Sequence, residues 1–283
     1  MFENTTVIIR GGGDLGTGVA FRLHHVGFQV VVLELAWPMV IRRRVALASA
    51  IHDEHVVIED LEGLRVENFE EALNVAKRGI IPVLVAPELP PIPAQMREPS
   101  ASVASDGKHE VVVDARLAKR NIDTNIDQAQ TVIALGPGFE AGIDCHAVIE
   151  TMRGHRLGRV IWKGSSLPNT GVPGIVGGRG AERVLRAPAD GNVDWSADIG
   201  DLVHVGQILG SVGGLNVAAP FDGVVRGLIR PGTSVSKGYK VGDIDSRGDI
   251  DACFTISDKA LSIGGGVLEA VLARMNQLHR YGA

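Results

Sequence analysis

Three features of the sequence predict an α/β protein with a mainly parallel sheet, a small all-β domain made by duplication, and a C-terminal helix that packs back on the first domain. A short β-branched run feeds straight into a glycine loop of form Gly11-x-Gly13-x-x-Gly16. Strand-like and helix-like segments then alternate as far as Trp162, and the 24 residues Ala187 to Gly210 recur without a gap as Ala219 to Gly242. Such alternation gives a sheet covered on both faces, and a strand that enters a helix through spaced glycines is the Rossmann-like phosphate-binding turn. The predicted domains are 1–180, 181–245 and 246–283, since 283 residues exceed the size at which one hydrophobic core stops growing.

The first strand is expected over Val7 to Arg10, and the helix after it carries Leu15, Val19, Phe21, Leu23 and Val26 on or near one face until Gly27 ends it. Gly11 and Gly13 let the backbone turn sharply beside a pyrophosphate, Gly16 lets the next helix lie against its strand, and that helix presents free N–H groups, with Asp14 of the loop counted among the cofactor-binding candidates. A second strand, Phe28 to Leu33, delivers Glu34, 23 positions after Gly11, where an acidic residue accepts the ribose hydroxyls of NAD. Arg42, Arg43 and Arg44 follow closely, so a 2′-phosphate or another anion is the alternative. A glycine-tightened turn that holds no ligand is the plainer reading.

Further strands are expected at Val56 to Ile58, Ile80 to Ala86, Val111 to Asp114, Thr131 to Leu135 and Val160 to Trp162, with helices over Phe69 to Lys77 and Cys145 to Met152. The proline-rich stretch Pro87 to Gly107 reads as an extended surface crossing or a mobile loop. A second anion-site candidate is Gly136-Pro137-Gly138, where a buried-type strand runs toward a helix; the Gly11 and Gly136 loops would face one ligand if their strands are close. Near the start of that helix stand Asp144, Cys145 and His146. A helix N-terminus and a neighbouring imidazole would lower the Cys145 pKa and make a reactive thiolate, against the reading of a small buried hydrophobe. From Lys163 to Gly180 the chain is rich in glycine, with the polar pair Asn169-Thr170 and positive charge at Lys163 and Arg179. This suits a phosphate clasp or lid, or else an interdomain linker.

The repeat has nine identities at a 32-residue offset, among them Asp190/Asp222, Gly200/Gly232 and Gly206/Gly238, where chance gives roughly one or two. Each copy reads as hairpin-sized strands that close a core only when paired. The pattern resembles the biotinyl and lipoyl carrier fold, but the joint Ser211 to Asn216 has no lysine, so covalent biotin or lipoate is not expected and the module is assigned to docking or dimer contacts. In the last segment Val267, Leu268, Val271, Leu272, Met275 and Leu278 form a helical stripe. Gly264, Gly265 and Gly266, with Lys259 nearby, suggest a third anion nest at a helix start.

The balance of 28 basic against 33 acidic residues, net charge −5, gives no basic field for nucleic acid or an anionic membrane. Only Cys145 and Cys253 are present, no signal-like segment precedes Thr5, and no apolar run reaches membrane-spanning length, so a reducing cytoplasm is expected. His24-His25, His52-x-x-His55 and Cys145-His146 lack a four-ligand framework, and no metal site is assigned.

The motifs IRGGGDLGTGVAFRLH (Ile9 to His24), VVVDARLAKRNIDT (Val111 to Thr124), LGPGFEAGIDCHAVIETMRGHRLGRVI (Leu135 to Ile161), NTGVPG (Asn169 to Gly174) and VGDIDSRGD (Val241 to Asp249) resemble the YqeB-type accessory proteins of selenium-dependent molybdenum hydroxylase systems. That resemblance implies a role in maturing a molybdenum hydroxylase, which would be the partner. The phosphates of a molybdopterin-type cofactor would lie on the Gly11 and Gly136 loops, and Cys145 would carry sulfur or selenium. The alternatives are an NAD(P)-dependent oxidoreductase, supported by Gly11, Gly13, Gly16 and Glu34 but without a Tyr-x-x-x-Lys pair, and a non-catalytic docking scaffold.

Overall fold

The computed structural model describes residue 2 and residues 5–91 and 109–281. Most of the stretch expected to be a proline-rich crossing, residues 92–108, lies outside the described residues. The chain forms two compact units, one of Met1–Pro38, Leu47–Asn169 and Ser257–Ala283, the other of Met39–Ala46 and Thr170–Ile256. The second unit therefore begins at Thr170 rather than at 181, keeps the chain as far as Ile256, and recruits the eight residues from Met39 that contain the arginine run.

Among the described residues the first unit is built on a nine-stranded sheet. Its strands are β1 (Thr5–Arg10), β2 (Gln29–Glu34), β3 (His55–Ile58), β4 (Leu61–Val66), β5 (Ile81–Val85), β6 (His109–Asp114), β7 (Thr131–Leu135), β8 (Ala147–Ile149) and β9 (Val160–Ile161), in the order β3-β4-β5-β2-β1-β6-β7-β8-β9. The pairs from β4 to β8 are all parallel, and only the edge pairs β3/β4 and β8/β9 are antiparallel. The chain runs from β1 to β2, on to the sheet edge at β3, back through β4 to β5 beside β2, and then crosses to β6 on the other side of β1, so the strand order reverses between β1 and β6. Ligands of open α/β sheets bind at the carboxyl ends of the strands at such a reversal.

The helices α1 (Asp14–His25), α2 (Ala50–Asp53) and α3 (Phe69–Ala76) belong to this unit. α3 starts where its sequence caps it: the Asn68 side chain accepts from the Glu71 N–H at 2.9 Å, and Glu71 reaches back to the Glu67 N–H at 2.9 Å. The helix expected over Cys145 to Met152 does not form. Ala147, Val148 and Ile149 are buried on both faces as the central-sheet strand β8, and a short continuous apolar run of this length fits a covered parallel strand as well as a helix. The strand β4 was not foreseen, because its alternation is interrupted by Gly63, which packs against Leu47 and Val56.

After the short helix α4 (Asp251–Phe254) of the second unit, α5 (Asp258–Tyr281) returns to the first. It starts six residues before Gly264, so the three glycines lie inside the helix and make no anion nest at its start. Instead, a β-carbon at Gly264 would overlap the Gly18 carbonyl of α1, and one at Gly18 would come within 2.6 Å of Ala260. The glycines let α1 and α5 touch backbone to backbone. The buried stripe is Ala260, Ile263, Val267, Ala270 and Val271, while Leu272 of the expected stripe is 39% exposed.

The second unit holds two four-stranded antiparallel sheets among the described residues. Its strands are β10 (Val184–Arg186), β11 (Gly191–Trp195), β12 (Leu202–Val203), β13 (Ile208–Val212), β14 (Leu215–Ala218), β15 (Gly223–Leu228), β16 (Ser234–Val235) and β17 (Lys240–Asp245), ordered β10-β17-β15-β12 and β14-β13-β11-β16. Each sheet thus combines two strands of one sequence copy with the short middle strand of the other. Hydrogen bonds repeat with the same exchange. Gly206 N–H donates to Ala219 O and Gly238 N–H to Ala187 O, both at 2.8 Å, and Gly200 N–H donates to Val225 O as Gly232 N–H does to Val193 O. The Asp190 and Asp222 carboxylates each accept one backbone N–H at 2.7 Å, from Lys237 and Val205. Gly206 and Gly238 both adopt the left-handed backbone, φ +81° and +83°, which explains why both copies need glycine there. The core of this unit includes Leu185, Leu209, Val212, Val224, Val225 and Ile244.

Candidate functional site

The rim at the β1/β6 reversal is made from Gly11, from the loop after β6, and from the loop after β7. Gly11 has φ +103°, and a β-carbon on it would stand 2.9 Å from the Ala115 carbonyl carbon. Gly138, with φ +108°, packs in the same way against Arg120, where a β-carbon would come within 2.5 Å of its backbone. The Gly11 and Gly138 loops are therefore not neighbours, since β6 separates their strands, but both lean on the single loop 115–124. Gly136 instead faces Thr151, at the end of β8.

Gly16 performs the third-glycine role: a side chain there would overlap the Gly11 carbonyl oxygen, so only glycine lets α1 leave β1 this tightly. Gly13 caps α1 with no side-chain hydrogen bond and, like Asp14, is partly exposed. Glu34, at the end of β2, reaches the same loop. Its carboxylate accepts the Gly12 N–H and the Leu35 N–H, each at 2.8 Å. Burial raises its pKa, and these two N–H donors oppose the rise. Beside Glu34, an open cleft of about 410 Å³ is lined by Ala36, Arg65, Leu84 and Val85 at the ends of β2, β4 and β5 and by Ile51 and His52 of α2.

At the carboxyl ends of β1 and β6 lies an ionic network, buried at Arg10 and Asp114 and open to solvent at Asp123, that the sequence reading missed. Arg10 and Asp114 are register partners on the two strands. Arg10 is 2% exposed and its Nη2 donates to Asp123 at 2.8 Å; Arg116 donates to both Asp114 and Asp123 at 2.6 Å, and the Thr124 hydroxyl donates to Asp114 at 2.5 Å. Asn121 ties the loop together by donating to Thr124 O and to the Asp144 carboxylate. The Arg10 hydrogen bond, seconded by Arg116, holds the Asp123 carboxyl down at about 2, against burial. Burial works against the Arg116 cation, but Asp114 and Asp123 outweigh it and raise its pKa. A charged residue closing each of two otherwise apolar strands, VIIR and VVVD, was the available signal.

Other sequence candidates fall elsewhere. Cys145 does not start a helix; it is 0% exposed, and burial, with the Asp144 and Asp114 charges, pushes its thiol up to about 12. The neighbouring imidazole gives no help, because His146 Nδ1 accepts the Val132 N–H at 3.0 Å. Both arguments for an activated thiolate thus fail, and the buried small side chain is what the structure displays. Arg42 and Arg43 belong to the second unit: Arg42 donates to Ala252 O and Thr255 O at the end of α4, and Arg43 to Leu228 O. Arg44 pairs with Asp198 at 2.7 Å. None of the three lies in the compact unit that carries Glu34. Lys163 and Asn169 are exposed in the first unit, with Gly164 bridged to Ala141, and Thr170 begins the second. The glycine-rich segment is therefore where the chain passes from one unit to the other.

No protein-family model matches the chain. Two solved structures share short stretches with it. A succinylglutamatedesuccinylase/aspartoacylase from Rhodobacter sphaeroides is 24% identical over 23% of this chain and 22% of that one, TM-score 0.22; an aspartoacylase family protein from Mesorhizobium loti is 18% identical over 23% of each chain, TM-score 0.21. Likeness on this scale carries no argument. The uncharacterized protein YqeB of Escherichia coli (strain K12) is 46% identical over 271 residues, 96% of this chain and 48% of that relative. The chain spans about half the length of the curated relative it matches. Identity at this level across almost the whole chain places it in one family with that relative: the chain belongs to the YqeB family.

Proposed function

We propose that the chain binds a phosphate-bearing cofactor, of nucleotide or molybdopterin type, and serves the maturation of a selenium-dependent molybdenum hydroxylase, with a bearing on selenium or sulfur insertion. The observation that carries the binding half is the coincidence of the glycine loop Gly11–Gly16 with the strand-order reversal between β1 and β6. A phosphate lies naturally at the open start of α1 near Gly13 and Asp14, and the cleft beside Glu34 has room for the ring system of either ligand type. The hydroxylase half rests on the motif resemblance alone. The exchanged strands of the second unit support the likeness to a biotinyl/lipoyl module, whose role here is docking, on the enzyme partner or a second copy, without a lysine for covalent carriage.

A second reading, an NAD(P)-dependent oxidoreductase, draws on Glu34, whose carboxylate stands on the Gly12 N–H where ribose hydroxyls would arrive. The deciding measurement is the mass of whatever travels with gently purified protein, taken before and after denaturation. A pterin or a selenium-containing species is expected; a nicotinamide nucleotide would move the assignment to redox chemistry in a cytoplasmic enzyme, and a bare chain that still activates the hydroxylase would leave the docking scaffold.

A further inference from the structure

Arg10 ends β1 immediately before the glycine loop, and its guanidinium is only half used. Nη2 donates to Asp123, whereas the buried Nη1 has no hydrogen-bond partner among the described residues. An arginine that is 2% exposed seldom leaves a donor unfilled, because the buried N–H loses water and gains nothing. The two nitrogens form a fork that suits two oxygens of one phosphate.

The partner that holds Nη2 is the exchangeable member of the network. Asp114 is 1% exposed and fixed by Arg116 and Thr124, but the Asp123 side chain is 40% exposed, next to Ile122 at 55%. Asp123 also stands on a loop that takes the left-handed backbone at Leu117 and Lys119, two non-glycine residues with φ +54° and +61°. The charges of Arg10, Arg116, Asp114 and Asp123 cancel as the network stands. With Asp123 turned outward, the inner three keep one net positive charge, at the carboxyl ends of the two strands between which the order reverses.

We infer that Arg10, seconded by Arg116, is an anion subsite for a phosphate group of the cofactor, and that the Asp123 carboxylate competes for it as a built-in stand-in. This rests on the reading of the β1/β6 rim as a phosphate-binding site and names the side chains that hold the phosphate. Binding exchanges one carboxylate for one phosphate on the same fork, so loop 115–124 opens as the ligand arrives.

The test is calorimetric titration of the full chain with inorganic pyrophosphate. Asp123→Asn removes the competing charge while keeping the shape and is expected to tighten binding about tenfold. Arg10→Gln is expected to abolish binding, and Arg10→Lys, which keeps the charge but not the fork, to weaken it; circular dichroism of each Arg10 variant excludes misfolding as the cause. Unchanged or weaker binding by Asp123→Asn overturns the inference, as does a folded Arg10→Gln that binds like the parent. Should Arg10 variants fail to fold, Asp123→Asn alone decides. Failure of the underlying reading looks different: no phosphate-bearing molecule travels with the purified chain, whatever Asp123→Asn does.

Discussion

At Gly16 there is no space for a β-carbon, which would overlap the Gly11 carbonyl oxygen, whereas at Gly265, inside α5, nothing lies within 4 Å. The two glycines should answer alanine in opposite directions. Gly16→Ala forces the start of α1 off β1 and is expected to cost about 1–3 kcal/mol or more. Gly265→Ala gains helix propensity and is expected to stabilise by up to ~1 kcal/mol, both read from urea midpoints. Cys145 is fully buried with its thiol pushed up to about 12, so it should resist a thiol reagent at pH 8 in the folded chain and react only on unfolding. Modification at the rate of a free thiol would restore the activated-cysteine reading. Asp123 has a folded pKa of about 2, below its ordinary 3.8. Its contribution to stability is therefore complete above about pH 4 and is lost as pH falls toward 2, and Asp123→Asn should flatten that part of the acid limb in urea midpoints measured against pH.

The elements of the first unit depend on how closely their backbones approach. α1 and α5 meet through Gly18 and Gly264, and Gly266 meets the Gly158 carbonyl in the same manner. Gly264→Leu is expected to separate the two helices, to lower the melting temperature, and to raise hydrogen exchange in α1 and α5 together; a change confined to α5 would refute the shared contact. Most of these elements were legible in the sequence, because β-branched runs such as VIIR, VVVL and TVIAL and the capped segment after Asn68 are local signals. The strand β8 was not, since three apolar residues have no period of their own and become a strand only by pairing with β7. The interior glycines of α5 misled for a related reason. Glycine is read from sequence as a helix boundary, but here neighbouring backbone, not local propensity, requires it.

Over the whole molecule, each compact unit has its own core, and the second is assembled from Met39–Ala46 and Thr170–Ile256. Leu209 is fully buried in that core. Leu209→Ala is expected to cost about 2–5 kcal/mol and to loosen amide protection in residues 39–46 and 170–256 while leaving the nine-stranded sheet protected. Among the described residues no helix is long and apolar enough to cross a membrane. By itself the sequence determined the glycine turn at Gly11–Gly16, the alternating strands and helices, and the 32-residue duplication, because each is written in local spacing. Only the tertiary structure decided which loops share a rim, that Arg42 and Arg43 donate to backbone carbonyls of the second unit, that Cys145 is buried, and that Arg10, Asp114, Arg116 and Asp123 meet. Their meeting depends on a parallel sheet whose order reverses between β1 and β6, joining residues 113 positions apart, and long-range pairing of that kind leaves no periodic trace in the chain.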